Sequence, residues 1–366
     1  MLYISILQWG STYRQYYTVI DVLTTKGLNQ MKGLNINTLV KVIVSLGLGV
    51  YLSWYLFDIM TPEDISIFKK AIINSNYWLI ALSLFLALLS YFSRAYRWGY
   101  TLWPMGYKSS FKNQYHSLMI GYLVNMTIPR AGEFSRAVML KRSDNIPVGP
   151  GFGTIVTERI IDMIIMFSLA ATAILISPQE TSLIFSQLKE SFFGPAEQNS
   201  SGGAWIYVFI FCGVILLILL FIKSVRRRVV AFLMSLKEGL SSIFKVKQYW
   251  AYLLHTLFIW ISYLIMFALP FYAIEGTSNV PLSGMLLAFS FGALGISFTN
   301  GGMGAYPLLI GVTTAYYLQN QGVENADAIG NALGMVIWAT QTIFLILLGL
   351  ISFLLMPRKF KPTDNE

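Results

Sequence analysis

Long apolar runs alternate with short polar segments along almost the whole chain. About 20 consecutive apolar residues can cross a bilayer as a helix, because the hydrocarbon core is about 30 Å thick and a helix rises about 1.5 Å per residue. Runs of this length occur near 38–57, 78–99, 152–177, 204–222, 250–274, 282–299 and 328–356. The pattern predicts an all-α fold, a polytopic bundle of membrane-spanning helices.

Two shorter apolar runs, 113–128 and 303–318, each adjoin a segment rich in glycine or proline. These segments are 129–132 and 300–304. Irregular backbone is tolerated at membrane depth only where protein or a polar cavity surrounds it. We therefore expect broken or re-entrant helices at both places.

Loop charges predict the side of the membrane that each loop occupies. Seven basic residues and one acidic residue lie in 223–247, whereas acidic residues outnumber basic ones in 178–203. Because basic loops stay in the cytoplasm, the first loop and both termini are expected there. Within this loop, 226–247 is expected to form an amphipathic helix on the inner leaflet. These loop assignments are consistent with about eight membrane-spanning helices, including 303–318, and with 113–128 as a re-entrant element.

Composition agrees with a membrane protein. Of 366 residues, 55% are hydrophobic and 12% charged, whereas about a quarter of a soluble domain is charged. No segment between the predicted spans is long enough for a soluble catalytic domain. The one cysteine, Cys212, lies in an apolar run, and the two histidines are His116 and His255. We therefore expect no disulfide framework, no metal, no cofactor and no catalytic residues.

We expect a single membrane domain over 31–356. Residues 1–30 lack the basic start, apolar core and cleavage site of a signal peptide. Because Met31 directly precedes the first spanning pattern, 1–30 is interpreted as an N-terminal extension or as sequence upstream of the true start. Residues 357–366 are expected to form a cytoplasmic tail.

Several ionisable residues lie inside or beside the apolar runs. They are Arg130, Glu133, Arg136, Glu158, Arg159 and Asp162. A charge at bilayer depth is costly, so such residues usually face a cavity or pair with each other. Arg159 and Asp162 are three apart on one helix, which predicts an ion pair. Three-residue spacing of Arg130, Glu133 and Arg136 after the helix break predicts an anion site, because a helix start adds positive potential.

Arg94 and Arg97 lie near the cytoplasmic end of the second predicted span and could complete this anion site, since guanidinium groups suit phosphate oxygens. In the alternative, these two arginines extend to the surface, and the other charges form ion pairs that fix helix register. The neighbouring aromatic residues of 96–103 are expected to be interface anchors.

The second break carries no charge but offers flexible backbone, an amide and a hydroxyl group. The residues are Asn300, Gly301, Gly302, Gly304 and Tyr306. Close helix packing at the glycines is one explanation. In the other, the break faces the charged break across a polar cavity.

Four motifs resemble the lysylphosphatidylglycerol synthase transmembrane region family. They are Asn125-x3-Pro129-Arg130-x-Gly132-Glu133-x2-Arg136, Glu158-Arg159-x2-Asp162, Arg94-x2-Arg97-Trp98 and Gly301-Gly302-x-Gly304. The resemblance runs from about residue 31 to 355. It implies a polytopic inner-membrane module that, in the best-known members, moves aminoacylated phospholipid between leaflets. Other relatives are linked to polyprenyl-linked sugar metabolism.

This sequence departs from the family pattern at the glycine motif. Asn300 stands where the family usually has proline, and Tyr306 stands where it usually has an acidic residue. A cationic headgroup would lose one acidic partner, which disfavours a lysyl-lipid substrate.

Three functions fit these observations. The leading hypothesis is a lipid translocase in the bacterial inner membrane, with Arg130 and Arg136 holding a lipid phosphate. Its partners would be membrane lipids and a lipid-modifying enzyme acting in trans, with no nucleic acid. The alternatives are a membrane-embedded transferase that acts on a lipid phosphate, with Glu133 or Asp162 as general base, and a membrane scaffold whose charges are structural.

Overall fold

The computed structural model describes residues 60–128, 131–193 and 248–356, with isolated positions between 47 and 58. Within these residues the regular elements are helices, and no strand occurs. The α-helices from residue 60 onward are α1 Pro62–Ile73, α2 Tyr77–Leu102, α3 Phe111–Thr127, α4 Gly132–Asp144, α5 Val148–Ile176, α6 Pro178–Phe193, α7 Tyr249–Ala273, α8 Leu282–Phe298, α9 Ala305–Asn320 and α10 Ala326–Leu355. The predicted all-α fold is confirmed.

Four of these helices, α2, α5, α7 and α10, are long and apolar enough to cross a membrane. They coincide with four of the seven predicted long spans, and α8 coincides with a fifth. Other predictions fall largely or wholly outside the described residues: the spans 38–57 and 204–222, the extension 1–30, the amphipathic helix of 226–247 and the tail 357–366.

Residue contacts divide the chain into two compact units. The larger unit combines Met1–Ile155 with Trp250–Glu366, and the smaller unit is Val156–Tyr249. The larger unit contains α1 to α4, the first residues of α5, and the part of the chain from α7 to α10. The described part of the smaller unit is the rest of α5 followed by α6.

Helices α3 and α4 form a helical hairpin, called here the first hairpin. The chain reverses direction between Thr127 and Gly132. At the open end, Asn113 Nδ2 and Ser109 Oγ donate hydrogen bonds of 2.7 and 2.8 Å to the carboxylate of Asp144, the last residue of α4. With 17 residues, α3 is about 25 Å long, which is shorter than the hydrocarbon core of about 30 Å.

Helices α8 and α9 form a second hairpin with 17 and 16 residues in its two legs. Between the legs a short 3-10 turn, Asn300–Gly302, reverses the chain. The open ends lie together, because the side chain of Gln321 after α9 donates a 3.0 Å hydrogen bond to the carbonyl of Asn279 before α8. The prediction of a broken helix at 300–304 is confirmed.

Helix α10 runs antiparallel to one leg of each hairpin and shows where each one ends. Near the start of α10, Gly334 lies against the carbonyl of Pro307 in α9. Near its end, Ser352 bonds to His116 of α3 at 3.0 Å. Between these contacts, Trp338 Nε1 donates a 3.0 Å hydrogen bond to the carbonyl of Gly301 at the tip of the second hairpin. The hairpins therefore enter from opposite ends of α10, and both end near its middle.

The hairpin course of 113–128 is consistent with the re-entrant element expected there. The crossing expected for 303–318 would begin at the cytoplasmic side, whereas Gly301, just before it, lies beside Trp338 near the middle of α10. Helix α9 packs along the first half of α10. Glycines allow the close packing: an added Cβ at Gly330 would lie 2.5 Å from the carbonyl oxygen of Gly311.

Candidate functional site

The tips of the two hairpins touch each other. Asn300 Nδ2 in the second hairpin donates a 2.6 Å hydrogen bond to the carbonyl of Met126 in the last turn of α3. A Cβ added at Gly301 would lie 2.7 Å from Met126 Sδ. The sequence interpretation in which the two breaks face each other thus matches their positions, although they meet by direct contact.

Asn125 organises the tip of the first hairpin. Its Oδ1 accepts a 2.7 Å hydrogen bond from the backbone N–H of Gly132, and its Nδ2 lies 3.5 Å from Glu133 Oε2. The carbonyl of Gly132 approaches Gly121 so closely that an added Cβ at Gly121 would lie 2.8 Å from it. One amide side chain therefore holds the end of α3 against the start of α4 and orients the half-buried Glu133.

Arg136 lies one turn further along α4 and is buried, with 2% of its surface exposed. Its guanidinium carbon lies 3.6 Å from the centroid of the Trp98 ring on α2. Trp98 is fully buried, and its Nε1 donates a 2.8 Å hydrogen bond to Thr154 Oγ1 in α5. A desolvated cation–π contact of this kind stabilises by about 2 kcal/mol, so Trp98 helps to keep the charge in the interior.

Two more buried arginines project from α2 toward α7. Arg97 is fully buried and donates a 2.8 Å hydrogen bond to Thr256 Oγ1. Its guanidinium carbon lies 5.2 Å from the centroid of the Tyr252 ring. Arg94 is 2% exposed and lies 5.8 Å from the ring centroid of Tyr263. The alternative in which these side chains extend to the surface does not fit this burial.

The three arginines share one structural pattern. Each places its guanidinium against an aromatic ring of another helix, and each is at least 98% buried. Stacking covers the flat face of a guanidinium, while its N–H groups point outward in the ring plane, where oxyanions bind. The larger unit therefore contains three buried guanidinium groups, which α2 and α4 contribute.

The smaller unit contains the other charged motif. Arg159 lies 3.8 Å from Asp162, as the three-residue spacing predicts. Glu158 is completely buried and Asp162 is 7% exposed. The first turns of the smaller unit's portion of α5 thus hold two buried carboxylates.

The second break has the backbone geometry of a glycine turn. Gly301, Gly302 and Gly304 have φ values of 62°, 75° and 72°, a region that residues with a Cβ rarely adopt. Asn300 is 4% exposed. The Tyr306 ring packs near Gly292, where an added Cβ would lie 3.0 Å from its Cε2. Tyr306 therefore joins the two legs of the hairpin and carries no charge to the tip.

The structure brings some of the predicted site residues together and separates others. Around the touching tips lie Asn125, Glu133, Asn300 and Gly301, while Arg94, Arg97 and Arg136 lie against aromatic rings. Arg130 is outside the described residues. Among those that are described, no three His, Cys, Asp or Glu side chains cluster as a metal site would need.

Sequence reasoning missed the aromatic partners of the arginines. Trp98 was expected to be one of the interface anchors of 96–103, but it is fully buried. No local signal paired the arginines with Trp98, Tyr252 and Tyr263, since each of these contacts joins distant parts of the chain.

Comparison with known families agrees with the resemblance. The model of the lysylphosphatidylglycerol synthase TM region family matches residues 39–349, most of the chain. The chain belongs to this family. Both helix breaks and all predicted site residues lie inside the matched range. With its apolar helices of membrane length, this member of the lysylphosphatidylglycerol synthase TM region family is an integral membrane protein.

A relative with a curated name is similar over a shorter segment. The UPF0104 membrane protein MJ1595 of Methanocaldococcus jannaschii is 30% identical over 111 residues. The alignment covers 30% of this chain and 33% of that protein, about a third of each. No solved structure matches the chain. The family assignment thus rests on the family model and on the motifs around the two breaks.

Proposed function

We propose that this protein binds a lipid with an anionic headgroup and translocates it between the two leaflets. The observation that carries the proposal is the burial of Arg94, Arg97 and Arg136 inside a membrane helix bundle. Charged side chains inside a membrane protein are costly and usually mark a bound ligand or a pathway. Three buried arginines on two helices, α2 and α4, favour a functional role over a purely structural one.

The chemistry of these arginines favours phosphate as the group that they bind. A guanidinium presents parallel N–H donors whose spacing matches two oxygens of a phosphate. Phospholipids, aminoacyl-phospholipids and polyprenyl phosphates all carry such a group. Family membership supports a lipid substrate, whereas Tyr306 in place of an acidic residue disfavours a strongly cationic headgroup.

The touching hairpin tips support movement of the bound lipid. Irregular backbone at membrane depth is found where it lines a pathway or is surrounded by protein. The two tips are joined by the Asn300 to Met126 hydrogen bond and by the contact of Gly301 with Met126. A shift of either hairpin would break these few contacts, so the tips are suited to act as a gate between the two halves of a pathway.

The proposal includes a location and partners. We place the protein in the bacterial inner membrane with both termini in the cytoplasm, because 223–247 and the C-terminal tail are basic. Its partners would be membrane lipids and a lipid-modifying enzyme that acts in trans and supplies the substrate.

Reconstitution into liposomes tests the proposal. The liposomes contain phosphatidylglycerol with a fluorescent acyl chain, and a membrane-impermeant quencher measures how fast inner-leaflet lipid reaches the outer leaflet. We expect Arg136→Gln to slow translocation at least about tenfold, because losing a charged hydrogen bond costs about 1.5 to 3 kcal/mol. Lys141→Gln is the matched control, since Lys141 is exposed on the same helix.

Two results would contradict the proposal. Wild-type protein that accelerates translocation no more than empty liposomes would exclude a translocase. A chemically altered lipid in the same liposomes, formed by wild type but not by Glu133→Gln, would identify a transferase instead. Thermal stability in detergent, measured for each variant, separates a lost activity from a lost fold.

A further inference from the structure

A groove opens on the outer surface of the larger unit between α2 and α7. Its volume is about 750 Å³, within the range of pockets that hold small ligands. Its walls are apolar and largely aromatic: Phe92, Tyr96, Phe111, Leu254, Phe258 and Ile261. Most of these side chains are more than a third exposed, for example Leu254 at 65%. The groove is therefore open toward the surroundings of the bundle.

Both helices that form the groove are of the membrane-crossing type. The surroundings of the groove are therefore lipid. Its lining residues on α7 run from Ala251 to Ile261, a rise of about 15 Å. That is half of the hydrocarbon thickness of about 30 Å. Because α7 begins at Tyr249, the groove extends from one membrane interface to about the middle of the bilayer, the depth of a single leaflet.

The groove and the buried arginines lie back to back on the same two helices. Ser93, which lines the groove, directly precedes Arg94 and lies four residues before Arg97 on the same helix. His255, which also lines it, precedes Thr256, the residue that accepts a hydrogen bond from Arg97. A 2.8 Å hydrogen bond joins Ser93 Oγ and His255 Nδ1 and forms the floor of the groove. One side-chain layer thus separates an apolar surface from the buried Arg94 and Arg97 at the same depth.

We propose that this groove binds one hydrocarbon chain of the lipid whose phosphate is held by the arginines. The inference rests on the proposed function and adds the place where the lipid enters. The chain of the lipid stays in the groove, outside the bundle, while its headgroup passes between α2 and α7 to the arginines. Aromatic side chains give the groove a rigid shape, because they have few rotatable bonds, which distinguishes it from an ordinary lipid-facing surface.

Photo-crosslinking tests this inference without requiring transport. Purified protein in nanodiscs receives phosphatidylglycerol with a diazirine in one acyl chain, and the adducts are mapped by peptide mass spectrometry. We expect adducts to concentrate on the groove residues of α2 and α7, and Leu254→Trp, which fills the groove, to reduce them severalfold. Ala251→Leu narrows the groove with a smaller change and should act in the same direction.

Leu350→Trp is the matched control. Leu350 is 48% exposed on α10 and lies five residues before the end of its helix, just as Leu254 lies five residues after the start of α7. We expect it to leave the groove adducts unchanged. Adducts spread equally over the groove and the exposed face of α10 would overturn the inference, as would adducts that neither groove variant reduces.

The translocation assay separates this inference from the proposed function. Groove adducts in a protein that does not translocate lipid would contradict the translocase and leave the binding groove standing. If Leu254→Trp does not slow translocation and no groove adducts form, only the proposed binding groove is contradicted.

Discussion

The two re-entrant hairpins reach the middle of α10 from opposite ends, but different chemistry forms their tips. The first hairpin turns with the help of an amide side chain, Asn125, and carries Glu133 and Arg136 in the helix that follows. The second turns on three glycines with positive φ and carries no charge. The difference teaches that one hairpin supplies charged groups and the other supplies close packing and backbone freedom.

The difference between the two tips also explains why they can touch. A charged tip against a second charged tip would need additional partners inside the membrane. Here an uncharged turn packs against the end of α3, and one amide, Asn300, satisfies the carbonyl of Met126. The charge of Arg136 lies further along α4 and is stacked on Trp98.

The largest expected loss of stability comes from a change at Gly132, where a side chain has no space. Gly301 differs, because it is needed for its backbone conformation. A Cβ at Gly132 would contact the carbonyl of Gly121 and lie 2.5 Å from Asn125 Cγ, and the backbone cannot easily move away. We expect Gly132→Ala to cost about 3 kcal/mol through overpacking. Thermal unfolding in detergent, followed by size-exclusion chromatography, measures the loss.

Gly301→Ala is the matched change in the second hairpin. The new methyl group would meet the flexible end of Met126, and the left-handed backbone costs about 1 to 2 kcal/mol. We expect a smaller loss of stability than for Gly132→Ala. If the second variant is as unstable as the first, the two tips do not differ in the way described.

An intermediate effect tests whether the tips act together. Asn125→Ala removes the bond to the Gly132 N–H and should cost about 1 kcal/mol, as the loss of a helix cap does. Asn300→Ala removes the bond to Met126 and should cost about 1 kcal/mol. We expect the double variant to deviate from additivity by at least about 0.5 kcal/mol, since Asn125 and Met126 are adjacent and both bonds hold the same turn of α3. Strict additivity would mean that the hairpins are independent.

The smallest expected effect concerns the bond between α10 and the second tip. Trp338→Phe keeps an aromatic ring but loses the N–H that donates to Gly301, which should lower stability by about 0.5 kcal/mol, the lower end for a neutral hydrogen bond. Trp78→Phe is the control, because Trp78 is 86% exposed. Equal stability of the two variants would argue against a role for Trp338 in holding the tip.

Sequence patterns predicted the parts of the fold that depend on local composition. Long apolar runs located α2, α5, α7 and α10, and the glycine and proline segments located both reversals. The position of the second hairpin tip beside the middle of α10 was not predicted, because the positive-inside rule needs charged loops. Between 248 and 357 the only charged residues are Glu275, Glu324 and Asp327, so loop charges could not distinguish a crossing from a hairpin.

The candidate site was predictable only in part. Motif spacing drew attention to Arg136 and Asn125, and helical periodicity predicted the Arg159 to Asp162 pair. The aromatic ring that each arginine contacts is decided by packing between distant helices. Trp98 resembles an interface anchor in local sequence, yet it is buried because α4 and α5 pack over it.

Native mass spectrometry of gently purified protein with its bound lipids tests the central claim most directly. We predict that wild type and Lys141→Gln retain a defined phosphate-containing lipid and that Arg136→Gln loses it while remaining folded. An unchanged lipid profile in a folded Arg136→Gln variant would contradict the claim that the buried arginines bind a lipid phosphate.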